Sequence, residues 1–255
     1  MSKIGQYRVL VLHDTYGAFP QPRLKILETV VSREGYRAPS FQIRSYRIAT
    51  NISLLAVFSI LTTICVLLFA KSDWEVAKIT TIASAISFIV LSVIMKYSVE
   101  LMILRKAIQV ANNCAMDFKP NLILAQGYGA KVALKMNKPR IPLILMSPMV
   151  HERFVPTLCI MKTRYAEFPF VLILHGYKDA HNPIINSVRL SSYFDRNRVK
   201  LDVLECDNHF SSLTPDVLRS WLDEAYEKGK NAVEELADSG CDYVNKSLFT
   251  GSESA

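Results

Sequence analysis

Asn121-Leu122-Ile123-Leu124-Ala125-Gln126-Gly127-Tyr128-Gly129-Ala130-Lys131-Val132-Ala133-Leu134 decides how the rest of the chain is read. The apolar run after Pro120 predicts a buried strand. One turn of small residues follows, after which Ala130, Ala133 and Leu134 take the spacing of a packed helical face. A strand, one tight turn and a helix are expected, with Gly127 at the apex.

Working outward, Tyr7 to His13 is a second buried strand, followed by the loop Asp14 to Pro20. Pro22 to Glu34 has helical spacing through Leu24, Leu27, Val30 and Val31, and Gly35 is its stop. Ala38 to Arg44 reads as another strand. Strand, helix, strand at this length implies a parallel pair with a crossover. Further strands are expected at 141–147, 170–175 and 199–206, and a helix from Thr214, its N-cap, and Pro215 onward. The fold class that results is α/β, a doubly wound and mainly parallel sheet.

The composition changes at Ile48. Ile48 to Ala70 holds no charged residue, and neither does Ile79 to Met95. With its flanks, each reaches the roughly 20 residues that cross about 30 Å of hydrocarbon. A short polar loop, Lys71 to Lys78, joins them, and Tyr46, Trp74 and Tyr97 sit where interfacial aromatics would. An inserted transmembrane hairpin over 45–97 is expected. Arg44, Arg47, Lys96, Arg105 and Lys106 on its outer flanks put the soluble part and both termini on the cytoplasmic side. Thr80, Ala83, Ser84, Ala85 and Ser87 would let helices approach closely in lipid, within the hairpin or between copies. A buried helical pair in a large soluble core is the competing reading. Ser98 to Asp117 continues as an amphipathic helix, with Leu101, Leu104, Ile108 and Ala111 on one side.

Small residues two before and two after a strand-to-helix apex, here Ala125 and Gly129, are the mark of a nucleophile elbow. In this the chain resembles the α/β-hydrolase superfamily, over roughly residues 7–44 and 99–236. The resemblance implies a catalytic acid in the loop His175-Gly176-Tyr177-Lys178-Asp179, hence Asp179. It implies a catalytic histidine in the loop Asp207-Asn208-His209-Phe210, hence His209. It places His13-Asp14 at the family's oxyanion-loop position. The family carries Ser, Cys or Asp at the apex, whereas this chain has Gly127, which offers no atom to attack a carbonyl. Tyr128 adjoins the apex and Ser147 ends the neighbouring strand. With His13 and Asp14 they are the expected ligand-binding residues. Each also has a plain structural reading: glycine for a strained turn, Asp179 as a turn or capping residue, His13 and His209 as hydrogen-bonded histidines.

Bulk properties narrow the classes. The 255 residues are 50% hydrophobic, with mean hydropathy +0.18, enough for a sizeable core. A net charge of +7 is scattered, with no basic run interleaved with aromatics, so nucleic acid is not an expected partner. Five cysteines stand far apart and read as reduced thiols. The N-terminal residues carry no cleavable signal pattern. His175 and His181 flank Asp179 at a spacing that fits no metal motif, and no phosphate-binding glycine loop occurs, so neither metal nor cofactor is expected.

The domain expectation is a discontinuous hydrolase-like domain, 1–44 with 98–238, the hairpin, and a flexible tail over 239–255. The leading functional expectation is a membrane-anchored pseudo-hydrolase that binds a lipid-like or acyl ligand or a protein partner. The alternatives are an acyl or ester hydrolase using Asp179 and His209 with a displaced or water nucleophile, an adaptor subunit assembling through its hairpin with itself or other membrane proteins, and an ordinary esterase whose serine has been replaced.

Overall fold

The computed structural model describes residues 7–13, 21–41, 43–71, 74–137, 141–149, 165–180, 182–207, 210 and 213–238. These fall into two compact units, one drawn from Met1–Phe41 and Ala107–Ala255, the other from Gln42–Lys106.

The first unit is built on six strands: β1 (Val9–Leu12), β2 (Tyr36–Arg37), β3 (Leu122–Gln126), β4 (Leu143–Met146), β5 (Val171–Gly176) and β6 (Val199–Leu204). All pairs are parallel, in the order β2-β1-β3-β4-β5-β6. Every residue of β1, β3, β4 and β5 is buried, as expected of short apolar runs in a sheet covered on both faces. Alternate residues supply the two faces. Val9, Val11, Leu122, Leu124, Ile144, Met146, Leu172 and Leu174 form one core with Leu27 and Val30 of helix α1 (Gln21–Val30). Leu218, Trp221, Leu222 and Ala225 of the C-terminal helix (Pro215–Asp238) complete it. The complementary set, Leu10, Leu12, Ile123, Ala125, Leu143, Leu145 and Ile173, is equally buried. The helix Tyr128–Lys135 packs on β1, β3 and β4, and the helix Ile184–Ser191 on β5 and β6.

The second unit is helical. Helix α2 (Ile43–Lys71) and helix α3 (Trp74–Phe118) are joined through residues 72–73. Their apolar spans, Ile48–Leu67 and the stretch beginning at Lys78, have hydropathies of 2.1 and 2.0, and neither is buried. Each helix is long and apolar enough to cross a membrane, since 29 residues of α2 rise about 43 Å. Phe58 and Phe88 meet at a centroid distance of 5.0 Å, and Lys106 Nζ donates to the Tyr46 hydroxyl. Hydroxyls in α2 donate to carbonyls one turn back, Thr50 to Tyr46, Ser59 to Leu55 and Thr62 to Phe58. Such bonds satisfy polar groups that an apolar solvent would not. The last turns of α3, from Ala107, belong to the first unit, where Ala107, Ala111, Ala115 and Phe118 are buried at helical spacing.

Following these in chain order, α4 is Tyr128–Lys135, α5 Ile184–Ser191 and α6 Pro215–Asp238. Two sequence readings need correction. The second strand is not 38–44 but the two residues 36–37 at the sheet edge: Pro39 has no N–H to give a ladder, and Ile43 already belongs to α2. Helix α1 stops at Val30 rather than Glu34, and the chain turns at Ser32, whose carbonyl accepts from Gly35 N at 2.8 Å. The amphipathic stretch Ser98–Asp117 runs on from the second apolar span as the end of α3, as its pattern implies.

Candidate functional site

The switch point of the sheet lies between β1 and β3, because the chain runs to β2 on one side and to β4, β5 and β6 on the other. Crevices form there, at the C-terminal strand ends. His13 follows β1 and Gly127 follows β3.

Gly127 has φ 54 and ψ −116. Residues with a Cβ adopt this conformation only under strain, whereas glycine adopts it freely. Its N–H donates to Met146 O at 3.0 Å, and its carbonyl accepts from Met149 N at 3.0 Å. The peptide at the apex is thereby held from both sides by the chain around the end of β4. A Cβ on Gly129 would lie 2.2 Å from Leu12 O and 3.1 Å from His13 N, so the second small residue lets α4 start against β1. The apex offers no hydroxyl, thiol or carboxylate.

Of the four expected ligand-binding residues, three are described and all are buried: His13 at 3% exposure, Tyr128 at 4% and Ser147 at 3%. The His13 ring lies 5.4 Å from that of Phe41, and Lys131 Nζ lies 5.7 Å from the Tyr128 ring. Ser147 has φ 41, its N–H donates to Leu174 O at 2.8 Å, and its Oγ has no partner among the described residues. Asp14 and His209 lie outside the described residues.

The loop after β5 is tied to the chain after β6. Tyr177 N donates to Leu204 O at 2.8 Å and Lys178 N to Cys206 O at 3.0 Å. Gly176 permits this, since a Cβ there would be 2.5 Å from Asp207 O. Asp179 closes the turn, its N–H donating to Gly176 O at 3.0 Å, while its Oδ1 accepts from Asn182 N at 2.9 Å. Burial pushes the Cys206 thiol up, and the carboxylates of Asp207 and Asp179 add to this. Beyond β6, Phe210 is buried with its ring 6.5 Å from that of Trp221.

Beneath Asp179 lies a polar cluster that the sequence reading missed. His175, 1% exposed, holds Nδ1 2.7 Å from Ser187 Oγ. Burial holds the imidazole pKa below its ordinary value, against the opposing pull of Asp179 and a backbone hydrogen bond with Asn182. Asn182 Nδ2 donates to Pro148 O at 3.0 Å, and its Oδ1 accepts from Asn186 Nδ2 at 2.9 Å. The available signal was Asp179-x-x-Asn182 before Pro183, a spacing at which side chains close local turns. The structure thus links the Gly127 turn, Ser147-Pro148 and the Asp179 loop through hydrogen bonds. Among the described residues, no three of His, Cys, Asp or Glu are grouped to hold a metal ion.

No protein-family model matches the chain, and no curated protein sequence matches it. A structural search finds similarity to a crystal structure from Xanthomonas campestris pv. campestris described as a "putative hydrolase of the alpha/beta superfamily". The TM-score is 0.39 at 13% identity, covering 92% of this chain and 99% of the other. A likeness of that size transfers no residue role.

Proposed function

We propose that this chain is a membrane-anchored, α/β-hydrolase-like protein that lacks a side-chain nucleophile and binds a ligand or partner at the strand ends. The observation that carries the reading is Gly127, which turns the chain from β3 into α4 at a positive φ that would strain any other residue, yet presents no attacking atom. In this reading Asp179, in the loop after β5, is the acid, and His209, which follows β6 in the sequence, is the base. That is the chain order nucleophile, acid, base.

In this reading α2 and α3 cross a bilayer, and the sheet unit with both termini lies on the cytoplasmic side, where flanking arginines and lysines are retained. Acyl or ester compounds are the ligand class, because they reach high concentration in the membrane that holds the protein. Ser147 as a displaced nucleophile is disfavoured by its burial.

A serine-directed fluorophosphonate tests the reading. The unaltered chain stays unlabelled, Gly127→Ser becomes labelled, and adding His209→Ala abolishes the labelling by removing the base. Labelling of the unaltered chain would overturn the proposal in favour of an active hydrolase. Failure of the serine variant to label would leave the adaptor reading ahead.

A further inference from the structure

Asn182 is 4% exposed and lies on the short segment between the Asp179 turn and α5. Its side chain is used at both ends: Nδ2 donates to Pro148 O at 3.0 Å, and Oδ1 accepts from Asn186 Nδ2 at 2.9 Å. The same residue's backbone N–H donates to Asp179 Oδ1 at 2.9 Å. On the far side, Met149 N, one residue beyond Pro148, donates to Gly127 O at 3.0 Å.

These bonds form one chain, from the Asp179 carboxylate through Asn182 and Pro148-Met149 to the Gly127 peptide. Among the described residues the Asn182 side-chain amide joins two loops from different strands, with Asn186 fixing which way that amide faces. A hydrophobic side chain at 182 could fill the same space but could not donate to Pro148 O. A buried carbonyl left without its donor is expensive, so the loops would separate or admit water.

We infer that Asn182 is a positioning residue, a latch that holds the acid loop in register with the Gly127 turn. The inference rests on reading these two loops as walls of one ligand crevice. The latch adds to the bond that Ser147 N donates to Leu174 O between the ends of β4 and β5, and extends that tie from the strand ends to the Asp179 loop.

Amide hydrogen exchange on the full chain in detergent micelles tests it. Asn182→Ala removes the latch, and Asn182→Asp keeps its shape while removing the donor. Both should raise exchange tenfold or more at Met149 and Asn182 (or its replacement), with the amides of β3 and β4 unchanged. Asn186→Ala, which frees the amide to turn without removing it, should give a smaller rise at the same sites and serves if the other variants fold poorly. Unchanged protection at Met149, a uniform rise across the sheet, or full protection in the Asp variant would overturn the latch. In a Gly127→Ser background, Asn182→Asp should slow fluorophosphonate labelling at least tenfold. Gly127→Ser that never labels counts against the crevice, whereas the exchange result decides the latch by itself.

Discussion

Leu124 in β3 and Ile60 in α2 are similar side chains with opposite fates: 2% of one and 60% of the other is exposed. The contrast holds across the two units. In the sheet unit each of β1, β3, β4 and β5 holds a run of four apolar residues, and every one of them is covered by helices or neighbouring strands. In the helical unit Leu55, Ile79 and Val93 stand 66%, 69% and 63% exposed on charge-free spans. Burying a residue of this kind stabilises by about 1.5–3 kcal/mol, so leaving a whole row in water forgoes far more than a domain's net stability. The difference teaches that apolar content alone does not define a core. The sheet unit brings its own apolar surroundings, and the helical unit supports a reading in which a bilayer supplies them.

The largest test of that contrast is all or none. The full chain should remain with membranes through an alkaline carbonate wash, and release into the supernatant would break the comparison outright. Truncation comes next: Leu124→Ala should lower the stability of the sheet unit by about 2–5 kcal/mol, while Ile60→Ala should change it by less than about 0.5 kcal/mol. Chemical denaturation in micelles reads both, and equal losses would mean that Ile60 is also core.

A smaller loss is expected where close approach rather than volume is at stake. Gly129→Ala places a Cβ 2.2 Å from Leu12 O, so α4 must shift from β1 at a cost of about 1–3 kcal/mol. The same change should leave the helicity of α2 and α3 unaltered.

The smallest effect is on pH dependence. His175 has its pKa lowered by burial, so just below its ordinary value near 6.5 the unfolded chain binds more protons than the folded one. Its contribution to stability is therefore complete above about pH 6.5 and is lost as pH falls toward the native value. His175→Gln should flatten this acid slope in the thermal unfolding of the sheet unit. A variant with the same slope as the unaltered chain would show that another group is responsible. Ile48 to Ala70 contains no charged residue, so that span should not respond.

How much was legible follows from the range of the interactions. The β3 turn and α4 could be read because their signals lie within fourteen consecutive residues: an apolar run, one glycine apex and small residues around it. The pairing of β1 with β3, four residues in register, lies beyond any local signal, because the whole helical unit separates the two strands in the chain. The second strand was misplaced because Ala38-Pro39-Ser40-Phe41 looks extended, yet a chain can run extended there without joining a ladder.

Asn182 could not be found in the same way. Its partner Pro148 is 34 residues away, and a single asparagine before a proline has the same local signature whether it closes a turn or bridges two loops. His175 shows the same limit. Its position after an apolar strand was plain, but its depth beside Ser187 depends on how α5 lies over β5.

By itself, then, the sequence determined the alternation of strands and helices, the charge-free spans and the absence of a nucleophile at residue 127, all set by local pattern and residue chemistry. Only the tertiary structure decided that Gly127 takes φ 54 and ψ −116, that Ser147 is buried, and that Asn182 joins the Asp179 loop to the chain beside Gly127. These depend on which strand ends meet, and parallel pairing brings together residues that no local period connects.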